Sequence, residues 1–246
     1  MRYVLANWKM YVGRDQAAEL LQSAQAGLAE RFPAASEPPR LIACPPFTAL
    51  APLSALVDRR LVHLGAQNCH WETEGPHTGE VSPRMLAELV DYVLIGHSER
   101  RALGETDAQI AKKVAAAAEA GLTPILFVGE DEPTDTATDE AERRLDRGLA
   151  EVDVERRHVL VVYEPTWAIG SDRPADSAHV RGVVERLKDR LAELGARRPE
   201  VVYGGTVNVD NVEQFTGIDV LDGVGATRGS LEPSDLLQIL DRVASA

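Results

Sequence analysis

The stretch Val159-Leu160-Val161-Val162-Tyr163 is followed directly by Glu164 and then by a loop between Pro165 and Pro174. A continuous apolar run of this kind is typical of a strand that is buried on both faces of a parallel sheet. Because each proline restricts the backbone around it, the stretch predicts a rigid carboxylate beside a hinged lid. A glutamate that merely ends a strand before a surface loop fits the same stretch, so both interpretations stay open here.

Similar apolar runs recur along the 246 residues, with helical patterns between them. The predicted strands are 3–6, 41–43, 61–66, 92–95, 124–128, 159–163, 201–203 and 220–224, and the predicted helices include 15–30, 106–120, 139–151 and 177–194. Thr106 and Gln109 have the spacing of a capping box. Eight alternating units favour a closed (β/α)8 TIM barrel of the α/β class over an open sheet, and no GxGxxG follows the first strand. We therefore predict one domain over residues 1–246.

Composition excludes several classes of partner. The chain has 39 acidic and 26 basic residues and a net charge of −13, which disfavours nucleic acid and anionic membrane surfaces. The two cysteines, Cys44 and Cys69, have no CxxC spacing and no histidine cluster near them, so we expect reduced thiols without a disulfide or a zinc site. The first strand begins near Tyr3, and no apolar stretch has the length of a membrane span. These features predict a soluble, cytoplasmic protein.

Chemically useful side chains follow the predicted strands. In a TIM barrel the active site lies at the carboxyl ends of the strands. The candidates at these ends are Asn7 and Lys9 after strand one, His97 and Glu99 after strand four, Glu164 after strand six, Thr206 after strand seven, and Thr227 and Arg228 after strand eight. Singly, each has a structural explanation: a solvated lysine, a core histidine or a surface ion pair. Their coincidence at one end of one barrel favours a functional role.

Seven segments carry a resemblance to the triosephosphate isomerase family. They are 7–10 (NWKM), 44–48 (CPPFT), 65–69 (GAQNC), 78–82 (TGEVS), 96–101 (GHSERR), 163–170 (YEPTWAIG) and 203–205 (YGG). The similarity runs in register over essentially the whole chain. It implies an enzyme of glycolysis and gluconeogenesis that interconverts dihydroxyacetone phosphate and D-glyceraldehyde 3-phosphate, with neither a metal nor an organic cofactor.

The resemblance also implies a role for each candidate catalytic residue. Glu164 would transfer a proton between neighbouring carbons of a small phosphorylated sugar through an enediolate. His97, at the N-terminus of a short helix, would stay neutral and donate a hydrogen bond to the developing oxyanion. Lys9 would supply positive charge and Asn7 would orient it. Glu99 would support this group or take part in proton transfer.

The phosphate would bind to Gly170 in the lid, to Thr206, and to the loop after strand eight. In that loop the family usually has Gly-Gly, whereas this chain has Thr227-Arg228. The new side chains could narrow the pocket, Arg228 could contact the phosphate, or Arg228 could point to solvent. Two smaller departures are Ser171-Asp172-Arg173 at the lid tip and Phe127 where a cysteine is usual. An isomerase of another phosphorylated sugar, such as a tetrulose phosphate, and a catalytically idle phosphate-binding barrel are therefore alternatives.

The family is typically dimeric, through the loop that follows strand three. The segment His77-Thr78-Gly79-Glu80 keeps the pattern of that loop. The resemblance therefore implies a homodimer formed through the loop around Thr78, with Cys69 near the interface.

Overall fold

The computed structural model describes residues 2–32, 38–169 and 174–246. Within them, parallel strands close into a barrel in which each strand pairs with the next and the last pairs with the first. The strands are β1 (Tyr3–Asn7), β2 (Arg40–Cys44), β3 (Val62–Ala66), β4 (Tyr92–Ile95), β5 (Thr123–Val128), β6 (Leu160–Tyr163), β7 (Val201–Tyr203) and β8 (Gly223–Gly225). The prediction of a single-domain (β/α)8 barrel is confirmed.

Helices connect the strands and cover the outside of the barrel. The α-helices of the described ranges are α1 (Arg14–Arg31), α2 (Phe47–Ser54), α3 (Pro83–Ala87), α4 (Ser98–Ala102), α5 (Asp107–Glu119), α6 (Ala137–Gly148), α7 (Ser177–Glu193), α8 (Val212–Thr216) and α9 (Pro233–Ala244). Single 3-10 turns follow β6 at Thr166–Ala168 and β8 at Arg228–Ser230. No helix in this part of the chain is both long and apolar enough to span a membrane.

Two layers of apolar side chains explain the continuous apolar runs of the strands. An inner cluster, which includes Leu5, Ile42 and Val162, fills the barrel. A larger outer cluster packs the helices against the strands. Because successive strand residues point inwards and outwards in turn, both sets face apolar neighbours. Cys44 and Cys69 are buried free cysteines.

The start of α5 follows the predicted capping box. The Thr106 hydroxyl accepts a hydrogen bond from the Gln109 N–H at 3.3 Å, and the Gln109 side chain accepts one from the Thr106 N–H at 2.9 Å. Two N–H groups of the first helical turn region are thereby satisfied. The prediction of this helix start is confirmed.

The last strand lies further along the chain than its apolar run indicated. The pattern predicted 220–224, whereas β8 is Gly223–Gly225. The Leu221 N–H donates to the Ile218 carbonyl at 3.1 Å, which makes a turn of the first part of the run. The Asp222 carboxylate then accepts hydrogen bonds from the Val201 N–H and from Lys188 Nζ, both at 2.9 Å. These contacts end the turn and place the strand three residues later.

Candidate active site

The turn after β1 holds Lys9 in an unusual backbone conformation. Its φ is +48°, and it is the only non-glycine residue with positive φ in the described ranges. The Asn7 side-chain oxygen accepts a hydrogen bond from the Lys9 N–H at 3.0 Å. Gln67 Nε2 donates to the carbonyls of Lys9 and Cys44, both at 2.8 Å. Because left-handed backbone is strained in a residue with a side chain, these bonds are what hold the turn.

This turn directs the Lys9 ammonium towards the loop after β4. Lys9 Nζ lies 2.7 Å from Glu99 Oε1, and the Glu99 side chain is more than half exposed. Asn7 therefore sets the backbone of Lys9, while Glu99 pairs with its charge. The sequence placed Gln67 at the end of strand three without giving it a role; that position was the signal for a positioning residue.

His97 immediately precedes α4 and is fixed by the first turn of this helix. Its Nδ1 accepts a hydrogen bond from the Glu99 N–H at 3.1 Å. In the neutral ring the proton therefore resides on Nε2, which faces Glu164. Burial lowers the pKa of His97 to about 4; the Glu99 carboxylate opposes this shift and the Lys9 ammonium adds to it. The imidazole is thus a neutral hydrogen-bond donor near pH 7.

Phe127 contributes to the burial of this imidazole. Its ring lies on β5 with its centroid 4.9 Å from that of His97, and its side chain is itself buried. An apolar ring in this place keeps water away from His97 and disfavours its charged form. The sequence identified Phe127 as a departure from the family but did not predict this contact.

Glu164 follows β6 at the carboxyl end of the barrel, the end at which Lys9 follows β1. Its carboxylate is 4% exposed, with Oε2 accepting a hydrogen bond from the Ser98 N–H at 2.9 Å and Oε1 lying 3.1 Å from His97 Nε2. Burial raises the pKa of Glu164 to about 7, although the Ser98 hydrogen bonds and the Lys9 charge act in the opposite direction. A carboxyl group with this pKa can accept and return a proton near neutral pH.

A cavity of about 420 Å³ opens beside Lys9 and His97. Asn7, Lys9, His97 and Glu99 are among the residues that line it. Its size is sufficient for a small organic ligand. The cavity thus brings the positive charge of Lys9 and the imidazole of His97 to one space that a ligand can enter.

Glu130 holds the beginning of the segment that follows Glu164. It lies just after β5 and is completely buried. Its Oε1 accepts hydrogen bonds from the Tyr163 hydroxyl at 2.8 Å and from Trp167 Nε1 at 2.9 Å, and lies 3.0 Å from His179 Nε2. The Thr166 N–H also donates to the Glu130 carbonyl at 3.0 Å. Glu130 comes two residues after the predicted strand 124–128, but the sequence does not predict this network.

The predicted phosphate-binding residues lie at the ends of β7 and β8. Thr206 Oγ1 donates to the Ala168 carbonyl at 2.9 Å, which ties the β7 loop to the turn after Glu164. The Thr227 carbonyl accepts a hydrogen bond from Ser230 Oγ at 2.7 Å. Arg228 is exposed, and its guanidinium makes no ion pair or hydrogen bond with the described residues. Gly170, the predicted lid contact, lies outside the described ranges, as does the tip at 171–173.

The family model described as triosephosphate isomerase matches residues 2–243 of this chain. The chain belongs to the triosephosphate isomerase family. Among relatives within this family, the triosephosphate isomerase of Nostoc punctiforme is 36% identical over 243 residues, which cover 97% of this chain and 96% of the relative. That of Herpetosiphon aurantiacus is 37% identical over 244 residues, covering 95% and 96%. The resemblance seen in the seven sequence segments is confirmed.

Solved structures support the same triosephosphate isomerase assignment. The crystal structure of triosephosphate isomerase from Bartonella henselae is similar to this chain with a TM-score of 0.84. The two sequences are 30% identical, and the match covers 98% of each chain. Fold and sequence therefore agree on a family of isomerases.

Proposed function

We propose that this protein interconverts dihydroxyacetone phosphate and D-glyceraldehyde 3-phosphate by proton transfer through an enediolate. The observation that carries the proposal is the pairing of Glu164 with the neutral imidazole of His97 at 3.1 Å. One group has the pKa of a base that works near neutrality, and the other is an uncharged donor. The names of the relatives in the family support the same reaction.

Each step of the proposed reaction can be assigned to a side chain of the candidate site. Glu164 removes a proton from the carbon next to the substrate carbonyl, and the electron pair moves to the carbonyl oxygen. His97 Nε2–H, which faces Glu164 in this structure, donates to the oxygen as negative charge develops there. Lys9 stabilises the enediolate by its charge. Glu164 then returns the proton to the neighbouring carbon, while the hydroxyl proton is transferred through His97 to the former carbonyl oxygen and the new C=O forms at the other carbon.

Asn7 and Glu99 act through Lys9 in this proposal. Asn7 bonds the backbone of the strained turn, and Glu99 pairs with the ammonium at 2.7 Å. Because Glu99 is more than half exposed, we assign it a positioning role rather than the main proton transfer. No metal or organic cofactor enters the proposed reaction.

We assign the substrate phosphate to the ends of β6, β7 and β8. Gly170, Thr206, Thr227 and Arg228 are the proposed phosphate-binding residues. Backbone N–H groups and one guanidinium in this region would attract a dianion locally, against the net charge of −13. The guanidinium of Arg228, which has no ion pair with the described residues, supports this assignment.

The same arginine favours a second candidate substrate. Thr227 and Arg228 add two side chains after β8, and the Arg228 side chain is exposed and without a partner in the described part of the chain. A guanidinium there fits the phosphate or a hydroxyl of a longer sugar. An isomerase of a tetrulose phosphate would use the same Glu164 and His97.

Steady-state kinetics on both substrates distinguish these candidates. We expect the wild type to isomerise D-glyceraldehyde 3-phosphate with kcat/KM approaching about 10⁸ M⁻¹s⁻¹, and Glu164→Asp to lower it sharply. Arg228→Gly tests the β8 loop, with Arg143→Gly, an exposed arginine on α6, as the control. Faster turnover of a tetrulose phosphate than of the triose would select the second candidate. Wild type and Glu164→Asp that are equally inactive on both would indicate a binding module instead.

We also propose that the protein is a homodimer formed through the loop around Thr78. Residues 72–80 are all exposed, as are the large apolar side chains of Met10, Tyr11 and Met85. Met10 and Tyr11 also line the cavity beside Lys9, so a partner's loop inserted there would cover them. Analytical ultracentrifugation of the wild type and Thr78→Asp tests this. A wild type that sediments as a monomer would contradict it.

The cytoplasmic location of the protein remains a prediction from the sequence.

A further inference from the structure

A second cavity lies at the opposite end of the barrel. It is formed by residues 154–159, which lead into β6, and by 196–198, which lead into β7, together with Leu191 of α7. These loops enter the amino ends of the strands, whereas the candidate active site lies at the carboxyl ends. The length of the barrel therefore separates the two cavities, and the proposed isomerase reaction does not use the second one.

Arginine side chains dominate the wall of this cavity. Arg156, Arg157, Arg197 and Arg198 line it, and Glu155 is the only acidic residue among its lining residues. Among the lining side chains four arginines face one glutamate, and when the carboxylates of Glu200 and Asp153, which contact Arg198 and Arg156, are also counted, an excess of one positive charge remains. This local excess contrasts with the net charge of −13 for the whole chain. The cavity is thus a place where an anion meets a favourable field.

Two of these arginines have no counter-ion in the described part of the chain. Arg157 and Arg197 are exposed and form no ion pair with residues in the ranges that the structure describes. Arg156 has only a long contact with Asp153, 3.4 Å between Nε and Oδ2, in which both side chains are exposed. Exposed pairs of this kind contribute little and exchange readily. Three guanidinium groups are therefore available to a ligand.

Arg198 is different because it is anchored. Its Nη2 donates to Glu200 Oε1 at 2.9 Å and to the Tyr3 hydroxyl at 3.1 Å. Glu200 is buried, and His158 Nε2 lies 2.8 Å from its other carboxylate oxygen. Contacts with Glu200 thus hold the side chains of Arg198 and His158 in place in the cavity wall. A site with fixed positive groups binds an anion with less loss of side-chain entropy than a wholly mobile surface.

The shape of the cavity limits the ligand to a small molecule. Its volume is about 150 Å³, which corresponds to roughly five water molecules. Val154, Val159, Leu191 and Ala196 give it an apolar surface beneath the arginines. A planar guanidinium makes paired hydrogen bonds to phosphate and carboxylate groups. The ligand class that matches these features carries such a group on a short carbon chain.

We propose that the cavity is a second ligand site, which binds a small organic dianion, either a phosphate monoester or a dicarboxylate. The dianion contacts Arg157 and Arg197, and the anchored Arg198 sets its position. Its carbon chain covers the apolar surface. This site is independent of the proposed isomerase activity.

Arginine-labelled protein titrated with ethyl phosphate and, separately, with succinate tests the proposal. The Nε–Hε NMR signals of Arg157, Arg197 and Arg198 report binding at this cavity, whereas those of Arg100 and Arg228 report binding at the candidate active site. We expect saturable shifts of the Arg157, Arg197 and Arg198 signals in the wild type. Arg157→Gln/Arg197→Gln should raise the Kd, read from the Arg198 signal, by at least about tenfold. The stronger of the two probes identifies the anionic group.

A charge-matched variant provides the control. Lys112 and Arg143 are exposed on α5 and α6 and have no ion pair among the described residues, so Lys112→Gln/Arg143→Gln changes the net charge equally. It should leave the Kd unchanged. The proposal is overturned if neither probe gives saturable shifts in the wild type, or if both double variants weaken binding alike. Isomerase activity should be the same in both variants, and its absence from the wild type would leave this binding result unaffected.

Discussion

Burial shifts the acid–base behaviour of Glu164 and His97 in opposite directions at the residue scale. The pKa of the carboxyl group rises to about 7, whereas that of the imidazole falls to about 4. In water the imidazole would be the more basic of the two. Here the order is reversed, so the carboxylate is the more basic of the two groups and the imidazole stays neutral throughout the physiological range.

The first prediction concerns the pH dependence of activity. Because Glu164 must be deprotonated to act as a base, kcat/KM should rise about tenfold per pH unit below about 7 and level off above it. Initial rates between about pH 5 and pH 9 measure this profile. An inflection near 4.5, the ordinary pKa of a glutamate, would contradict the proposed environment of Glu164.

The second prediction concerns activity and stability together in Glu164→Gln. Since the folded state raises the pKa of this group, it holds a proton that the unfolded chain releases, and the stability of the wild type falls as the pH rises from about 4.5 to about 7. Glutamine removes this penalty and also the base. We expect kcat to fall by about 10² to 10⁴, while the free energy of unfolding exceeds that of the wild type by on the order of 3 kcal/mol at pH 8 and by less at pH 5. Urea unfolding at both pH values measures the difference; equal stability at pH 8 would argue against a buried charge.

At the scale of elements, the junction of β5 and β6 fixes the position of Glu164. A Cβ atom on Gly129 would lie 2.1 Å from the Glu164 carbonyl oxygen and 2.6 Å from its carbonyl carbon. Both contacts are with backbone, which cannot move aside without displacing the end of β6. Glycine at 129 is therefore needed for the close approach of the two strand ends.

Gly129→Ala should accordingly disturb both the fold and the site. We expect a loss of about 1 to 3 kcal/mol in stability and at least about a tenfold fall in kcat. Gly182→Ala is the control: this glycine is exposed in α7, and its added Cβ meets nothing within 4 Å. That change should stabilise the protein by about 0.5 to 1 kcal/mol and leave kcat unchanged. Thermal unfolding and initial rates distinguish the two, and a fully active Gly129→Ala would refute the argument.

Strands were predictable from the sequence where a whole apolar run belongs to a single strand. The run at 159–163 gave β6 to within one residue, because a strand covered on both faces needs continuous apolar side chains. The run at 220–224 was misplaced because its first residues form a turn instead. That turn depends on the Asp222 carboxylate, whose partners Val201 and Lys188 are distant in sequence.

The candidate site was predictable in membership but not in detail. Parallel strands bring their carboxyl ends together, so Lys9, His97 and Glu164 could be placed at one mouth without coordinates. The left-handed backbone of Lys9, its support by Gln67 and the Phe127 ring against His97 could not be predicted. Each depends on a contact between residues at the ends of different strands. The sequence alone does not show which of these residues meet.

At the scale of the whole molecule, a buried ionic cluster closes the amino end of the barrel. Burial by itself raises the pKa of Glu200, but hydrogen bonds from His158, Arg198 and Tyr3 outweigh it and lower the pKa to about 2. These partners come from β1 and from the loops that precede β6 and β7. Glu200 therefore joins β1 to the loops that precede β6 and β7, on the face opposite the candidate active site.

Glu200→Gln tests the contribution of this cluster. The lowered pKa means that the stabilisation by Glu200 is fully present above about 4.5 and is lost as the pH falls towards about 2. The variant should be less stable than the wild type by about 3 kcal/mol at pH 7, and the difference should shrink below about pH 4.5. Glu155→Gln, an exposed neighbour, should have little effect. Denaturant unfolding at several pH values measures this; a difference that does not vary with pH would contradict it.

The strained backbone at Lys9 also has a consequence for laboratory evolution. Glycine adopts a φ of +48° without the roughly 1 to 2 kcal/mol penalty that a residue with a side chain carries there. A library selected only for heat resistance should therefore enrich glycine at position 9 and discard the ammonium group beside the proposed substrate cavity. Screens for thermostable variants of this protein need a simultaneous selection for turnover, or they will recover robust barrels that have lost their chemistry.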